Sequence, residues 1–155
     1  MTMTTLRCPT FPSRMITLPL AAALALAALP AQAASAKRYE QAVSGQWRLT
    51  AALDGADVTS LDEKEAHRLV GRVVSIRKES VKFGDRTCGP SGFEAESVEP
   101  RMFVREQFHA DPAKLGLPNP VTVVDLSCTS VFIKGANRLV IAWKGWFFEA
   151  VRVRR

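Results

Sequence analysis

The chain has 155 residues, and about 120 remain once a predicted N-terminal leader is removed, which suffices for one compact core and excludes a second. The formal net charge of +6 falls to about +4 without the leader, because Arg7 and Arg14 leave and no acid leaves with them. The remaining basic residues are scattered, apart from a cluster at Arg152, Arg154 and Arg155. A nucleic-acid-binding protein would carry a denser basic stripe or a recognisable module, so we expect no nucleic-acid partner.

The N-terminal segment has the pattern of a secretory signal peptide spanning residues 1–33. An apolar run over residues 16–29 follows the two arginines, Pro30 breaks it, and Ala31–Ala33 has the small-x-small pattern that a signal peptidase accepts. The run is shorter than the ~20 residues needed to span a bilayer. We therefore expect a periplasmic or secreted protein with no stable membrane insertion after cleavage.

Cysteine usage agrees with export. Cys8 lies inside the leader, so the mature chain keeps only Cys88 and Cys128. In an oxidising compartment such a pair is expected to close a disulfide. A bridge across roughly forty residues removes about 4 kcal/mol of denatured-state freedom in the chain-entropy model, which is a large share of the stability of a small domain.

The pattern after the leader predicts mainly short strands. The period-2 alternation of residues 45–53 is typical of a half-buried strand, and Asp54-Gly55 is expected to turn the chain. A polar lead-in (34–44) comes first, followed by a strand (45–53) and one helix (61–70). The remaining predicted elements are strands (72–77, 80–83, 93–98, 121–128, 131–133, 139–143, 146–153). Ser60 with Glu63 fits a capping box for that helix.

Two regions between these elements are less regular. Residues 88–92 are expected to form a loop because of their glycines and proline, and residues 100–120 allow a short helix or an edge strand followed by a helical turn at Asp111-Pro112. Seven or eight strands with one short helix predict a small antiparallel β-barrel occupying residues 45–155. Closure is favoured because it removes exposed strand edges.

Gly45-Gln46-Trp47 at the start of the first strand, with arginines on the last strand, resembles the lipocalin-like (calycin) barrels. In that family a Gly-x-Trp tryptophan packs beneath an arginine of the final strand. The resemblance implies that Trp47 is the family tryptophan and that Arg152 or Arg154 lies over its ring, as a cation–π contact of about 1 kcal/mol. Small exported bacterial protease inhibitors, which share the barrel and a single disulfide, resemble the chain about equally well.

The sequence carries no pattern typical of an enzyme or of a cofactor site. His67 and His109 lack the spacing of zinc ligands, and no serine lies in a nucleophile elbow. Asp125 alternates with apolar residues and is expected to face water. A small hydrolase using His109 or Asp125 is the weakest of the alternatives considered, and we predict a non-enzymatic protein without metal or cofactor.

The densest aromatic segment is the closing hairpin, in which Trp143, Trp146 and Phe148 are the candidate ligand-binding residues. Packing into the core is the first explanation for these rings, and the alternative is that some of them line a barrel mouth. Both sides of the last strand carry large apolar groups. One side must therefore meet something other than water, which can be the helix, the segment after Pro100 or a partner chain.

Two functions from different classes follow from these features. The first is an exported binding protein of the bacterial envelope that holds a small amphipathic ligand in or near the barrel mouth. The second is a periplasmic inhibitor or accessory protein whose target is another protein, such as a hydrolase, contacted by the loops around residues 88–92 and 100–120. The expected partner is accordingly a small apolar ligand or a protein.

Overall fold

A computed structural model describes residues 29–154, with side chains from Ala34 onward. The predicted signal peptide lies outside these residues, apart from its last five. The helices are α1 (Leu29–Val43), α2 (Glu63–Leu69) and α3 (Pro100–Phe108), with a 3-10 turn at Pro112–Leu115. The strands are β1 (Gly45–Gly55), β2 (Val73–Ile76), β3 (Val81–Phe83), β4 (Arg86–Cys88), β5 (Glu94–Val98), β6 (Val121–Asp125), β7 (Ser130–Gly135), β8 (Arg138–Trp143) and β9 (Trp146–Arg152).

All strands of the described chain join one antiparallel sheet in the order β4-β3-β2-β1-β9-β8-β7-β6-β5. The prediction of a mainly β, antiparallel protein is confirmed. The sheet has nine strands rather than seven or eight, because Arg86–Cys88 forms an additional strand that pairs with β3 across the Gly84-Asp85 turn. This strand has only three residues, which is too few to show an alternating pattern in the sequence. Gly84 adopts φ 56° in this turn, a conformation that glycine reaches at little cost.

The prediction of a single short helix is wrong, since three α-helices are present in residues 29–154. The predicted polar lead-in (34–44) is part of α1, whose end packs into the core through the fully buried Val43. Residues 100–108 form α3 with Glu99 as its cap, and the predicted helical turn at Asp111-Pro112 is present. The sequence of α1 has few apolar positions that recur at helical spacing after residue 34, so the hydrophobic pattern does not reveal this helix.

Helix α2 is two residues shorter at its start than predicted, and a different residue caps it. The Asp62 side chain accepts a hydrogen bond from the Glu65 backbone N–H at 2.7 Å, and the Glu65 carboxylate accepts one from the Asp62 N–H at 2.9 Å. This reciprocal pair is a capping box, offset by two residues from the predicted Ser60 and Glu63. Ala66, which is fully buried, anchors the helix to the sheet.

The sheet curls into a half-barrel. Phe83 on β3 and Trp143 on β8 stack with ring centroids 4.3 Å apart and planes 5° apart. These strands are four places apart in the sheet, which corresponds to about 19 Å in a flat sheet at roughly 4.8 Å per strand. The rings can meet only because the sheet bends until its inner face encloses them.

The half-barrel has an open seam between its edge strands β4 and β5. Eight successive antiparallel pairings make these two strands run in the same direction. Pairing them would need a parallel crossover of about a dozen residues or more, and only residues 89–93 connect them. The Cys88–Cys128 disulfide, with its Cα atoms 6.3 Å apart, instead links β4 to the turn between β6 and β7.

Apolar residues pack on both faces of the sheet. The inner layer contains Trp47, Leu49, Ile76, Leu126, Ile141 and Phe148, among others. The outer layer lies under α3 and the 3-10 turn and contains Val104, Leu115, Phe132, Val140 and Phe147. The second apolar face of β9 is therefore covered by the segment after Pro100, which is one of the three coverings expected from the sequence.

Ion pairs fix the outer layer to the sheet. Lys134 donates to the Leu115 carbonyl of the 3-10 turn at 3.2 Å and to Glu149 on β9 at 3.3 Å. A hydrogen bond from Arg138, together with Lys134, holds the pKa of the Glu149 carboxyl below its ordinary value. Lys114 reaches Asp54 at 3.0 Å, and that contact raises the pKa of the Lys114 ammonium.

Replacing Cys88 and Cys128 together by serine should lower the free energy of unfolding by about 2–4 kcal/mol, because the bridge is the covalent link across the seam. The measurement is urea unfolding of the double variant and of the parent protein, with and without reductant. Reductant should move the parent midpoint to that of the variant. A parent midpoint that does not respond to complete reduction contradicts the assignment.

Candidate functional site

The predicted ligand-binding rings are all engaged within the protein. Phe148 is fully buried in the inner layer. Trp143 lies flat against Phe83, and Trp146 donates from Nε1 to the Leu61 carbonyl at 2.9 Å. Trp143 and Trp146 face each other across the β8–β9 hairpin and remain half-buried. Phe148 and Trp143 therefore fill the interior of the half-barrel, and the Trp146 hydrogen bond connects the β8–β9 hairpin to Leu61.

The Gly-x-Trp segment meets Arg152, not Arg154. The Arg152 guanidinium lies 4.2 Å from the Trp47 ring centroid, and Trp47 Nε1 donates to the Val43 carbonyl at 2.8 Å. Arg152 also donates to the carbonyls of Ser44, at 2.8 Å, and of Ala42. Arg152 thus satisfies free carbonyls at the C-terminal end of α1, where a cation also suits the helix dipole.

Gly45 is required by the same contact. A Cβ at this position would lie 2.7 Å from the Arg152 Nη1 atom, and the backbone has φ 139°, which L-residues rarely adopt. The Gly-x-Trp spacing therefore places two residues against the Arg152 guanidinium: Gly45, which has no side chain to clash with it, and Trp47, whose ring it covers. This arrangement ties α1, β1 and β9 together, so its role in the described structure is architectural.

Arg152→Met should lower the free energy of unfolding by about 2–3 kcal/mol, because it removes the cation–π contact and two charge-assisted hydrogen bonds while keeping an apolar chain over Trp47. Arg154→Met is the matched control, since Arg154 is exposed, and should change stability by less than about 0.5 kcal/mol. Chemical denaturation followed by tryptophan fluorescence measures both. Equal effects of the two variants would contradict this role for Arg152.

The loop over residues 56–61, called here the Val58 loop, is fixed by hydrogen bonds to neighbouring segments. The Ala56 N–H donates to the Gly145 carbonyl at 2.7 Å, and the Ser60 N–H donates to the Lys144 carbonyl at 3.0 Å. The Asp57 N–H donates to the carbonyl of His109, at the end of α3, at 3.0 Å. Three backbone bonds to two different segments leave this short loop little conformational freedom.

Val58 projects from this loop into solvent. It is 86% exposed, the largest value among the exposed large apolar residues of the described chain. The β8–β9 turn packs against this loop so closely that a Cβ at Gly145 would lie 2.7 Å from the Val58 carbonyl oxygen. Position 145 therefore has no room for a side chain. The sequence offers one weak signal for this feature, which is a lone valine in an otherwise small and polar stretch.

A pocket of about 570 Å³, called here the seam pocket, lies where α1 crosses the edge strand β5. Its apolar lining comes from Ala36, Tyr39, Phe93 and Ala95, and Glu94 lies at its rim. Phe93 has φ 55°, which is unusual for a residue with a large side chain, and it is buried. The pocket lies beside the connection between the edge strands β4 and β5, and none of the predicted ligand-binding rings lines it.

The polar residues considered for catalysis lie apart in different surroundings. His67 is exposed on α2, 3.8 Å from Glu63. His109 ends α3 in a left-handed conformation, and its carbonyl fixes the Val58 loop. Asp125 is exposed, and its carboxylate accepts from the Ser127 N–H at 2.7 Å. Within residues 29–154, no group of three His, Cys, Asp or Glu is placed to hold a metal ion.

Comparisons with protein-family models, with curated proteins and with solved structures yield no match to this chain. Among the described helices, none combines the length and the apolar character needed to cross a membrane. The geometry of the chain itself therefore carries the functional inference.

Proposed function

We propose that the chain is an exported, non-enzymatic binding protein of the bacterial envelope whose partner is another protein, contacted through the Val58 loop. The observation that carries the proposal is Val58 itself, an aliphatic side chain held in solvent by a loop with three backbone hydrogen bonds to its neighbours. A binding loop that is already ordered loses little conformational entropy on association, and this favours affinity. Burying an exposed aliphatic side chain in an apolar pocket of a partner removes its apolar surface from water and so favours association.

The filling of the half-barrel supports a partner outside it. Trp47 and Phe148 are fully buried, and the Phe83–Trp143 stack spans the inner space from one wall to the other. A ligand in that space would have to displace these rings. The loops proposed from the sequence as contact regions are also engaged, since residues 100–115 cover the outer layer and Ser91 donates to the Lys78 carbonyl at 3.0 Å.

The lipocalin-like resemblance favours the same class of function. The Arg152 contact over Trp47 and the meander of antiparallel strands support a relation to those barrels. Inhibitor-type members combine a small barrel with one disulfide, and this chain combines a half-barrel with one disulfide. The partner class that we propose is accordingly a hydrolase of the envelope or of the extracellular space.

Val58→Asp should weaken partner binding by about 10- to 100-fold or more, since burying a valine side chain contributes roughly 1.5–3 kcal/mol and a buried carboxylate adds a further cost. Val73→Asp is the matched control, because Val73 is also solvent-exposed, at 37%, and lies on the outer face of β2 opposite Arg48. The assay is inhibition of a panel of exported proteases and of lysozyme, together with capture from envelope extract of the parent organism.

Loss of inhibition or of a captured protein in Val58→Asp but not in Val73→Asp supports the proposal. Equal loss in both variants, or equal retention in both, contradicts a role for the loop. A parent protein that inhibits no hydrolase but loses its captured protein on Val58→Asp keeps the binding role and removes the inhibitor role.

A second candidate function is the binding of a small amphipathic ligand in the seam pocket. The observation that favours it is a volume of about 570 Å³, within the range of ligand sites, with apolar walls and a carboxylate at the rim. Tyr39 on α1 and Phe93 next to β5 supply aromatic surface to the pocket. This site replaces the barrel mouth with Trp143, Trp146 and Phe148 as the place for such a ligand.

Ala36→Trp should abolish ligand binding in the seam pocket by filling it, whereas Ala136→Trp, at an exposed turn, should leave binding unchanged. The probe is an apolar fluorescent amine, N-phenyl-1-naphthylamine, titrated into each variant. Saturable enhancement that only Ala36→Trp removes supports the pocket. No saturable signal in the parent protein, or the same signal in both variants, rejects it.

A further inference from the structure

A second cleft, called here the acidic cleft, lies between α3 and the outer face of β5 and β6. Its volume is about 690 Å³, somewhat more than that of the seam pocket. It is lined by Glu94, Ala95, Glu96, Phe103, Gln107, Phe108, Val123, Asp125 and Ser130. Three of these side chains are carboxylates and none is basic, although the chain as a whole carries a net charge of +6.

The floor of the acidic cleft is apolar and well supported. Phe103 and Phe108 are half-buried, and Val123 is 3% exposed. The Phe108 ring lies 5.3 Å from that of Phe147 and 5.8 Å from that of Phe132, which are edge-on or tilted contacts within the outer layer. The rings that face the cleft are therefore held by the packing beneath them.

The rim combines like charges without a counter-ion. Glu94 is paired directly with Asp125 across β5 and β6, and Glu96 lies two residues further on the same face. Like charges placed opposite each other destabilise a sheet. Within the described chain, no lysine, arginine or histidine forms an ion pair with any of these three carboxylates. A cation that enters from outside would relieve this repulsion.

We propose that the acidic cleft binds a basic, partly apolar segment of the protein partner, with Lys or Arg side chains at the carboxylates and an aliphatic or aromatic side chain on Phe103 and Phe108. This proposal rests on the proposed function, because it assumes that the binding partner of this chain is another protein. The cleft and the Val58 loop both adjoin the end of α3, because Phe108 lines the cleft and the carbonyl of the next residue, His109, accepts a hydrogen bond from the Asp57 N–H. One partner surface can therefore reach both.

The test uses the full mature chain and fluorescein-labelled twelve-residue peptides of three compositions: alternating Lys and Phe, alternating Lys and Ser, and alternating Glu and Phe. Fluorescence anisotropy should show that the Lys/Phe peptide binds at least tenfold more tightly than either of the others. Binding of the Lys/Ser peptide with equal affinity would show that the apolar floor is not used and would overturn the proposal.

The deciding variant carries Glu94→Gln, Glu96→Gln and Asp125→Asn, which keep the shape of the rim and leave an oxygen for the Ser127 N–H. Its matched control carries Glu63→Gln, Glu79→Gln and Asp85→Asn, three exposed acids outside the cleft. Both variants raise the net charge by the same amount. We expect the rim variant to bind the Lys/Phe peptide at least tenfold more weakly than the parent, and the control to stay within twofold.

Gln107→Lys is a milder second variant, since it places a cation beside the rim on an exposed position of α3, and it should weaken binding in the same direction. Equal loss in the rim and control variants would show attraction to bulk charge and would overturn the proposal. Complete competition by spermidine would do the same, because it assigns the cleft to a small free cation.

The peptide assay does not involve Val58, so the two proposals fail separately. Peptide binding that depends on the rim, with no captured partner sensitive to Val58→Asp, removes the proposed function alone. A captured partner sensitive to Val58→Asp, with no peptide binding, removes the acidic cleft alone.

Discussion

The odd number of strands is the constraint on which the rest of this structure depends. In an antiparallel meander of nine strands, the two edges run in the same direction and cannot pair through a short connection. The sheet therefore curls without closing by hydrogen bonds. Two other features act at the seam instead: the Cys88–Cys128 disulfide ties β4 to the β6–β7 turn, and helix α1 packs against the edge strand β5. Export to an oxidising compartment suits a fold whose seam is held by a disulfide.

The same curl determines which surfaces remain for binding. An inner face that curls around Trp47, Phe83, Trp143 and Phe148 leaves the interior occupied by aromatic side chains. The outer face is covered only where α3 and the 3-10 turn lie on it. Clefts consequently form along the borders of these covering helices, at α1 and β5 and at α3 and β5. Strand β5 contributes to both because it is an edge strand with neighbours on one side only.

Sequence periodicity predicts the strands well where one face is buried and the other is solvated, as in residues 45–53 and the β8–β9 hairpin. Composition identifies the cysteine pair, since only two cysteines remain after the predicted leader. Periodicity fails for β4, which is too short to show a period, and for α1, where only Tyr39 and Val43 among the described side chains pack against the core. An arginine over Trp47 follows from the family resemblance, but the choice between Arg152 and Arg154 depends on which face of β9 each residue occupies.

The candidate binding surfaces were harder to predict, for a physical reason. The Val58 loop is ordered by backbone hydrogen bonds to Lys144, Gly145 and His109, which are 50 to 90 residues away in sequence, so nothing local to the loop shows its rigidity. The acidic cleft similarly joins β5, β6 and α3, whose acidic and aromatic residues look ordinary in each segment alone. These residues suggest a binding site only because the fold brings the acidic residues of β5 and β6 next to the aromatic residues of α3. Glu94 opposite Asp125 is unfavourable within this chain, and the basic segment that we propose for the acidic cleft would relieve that repulsion beside an apolar floor.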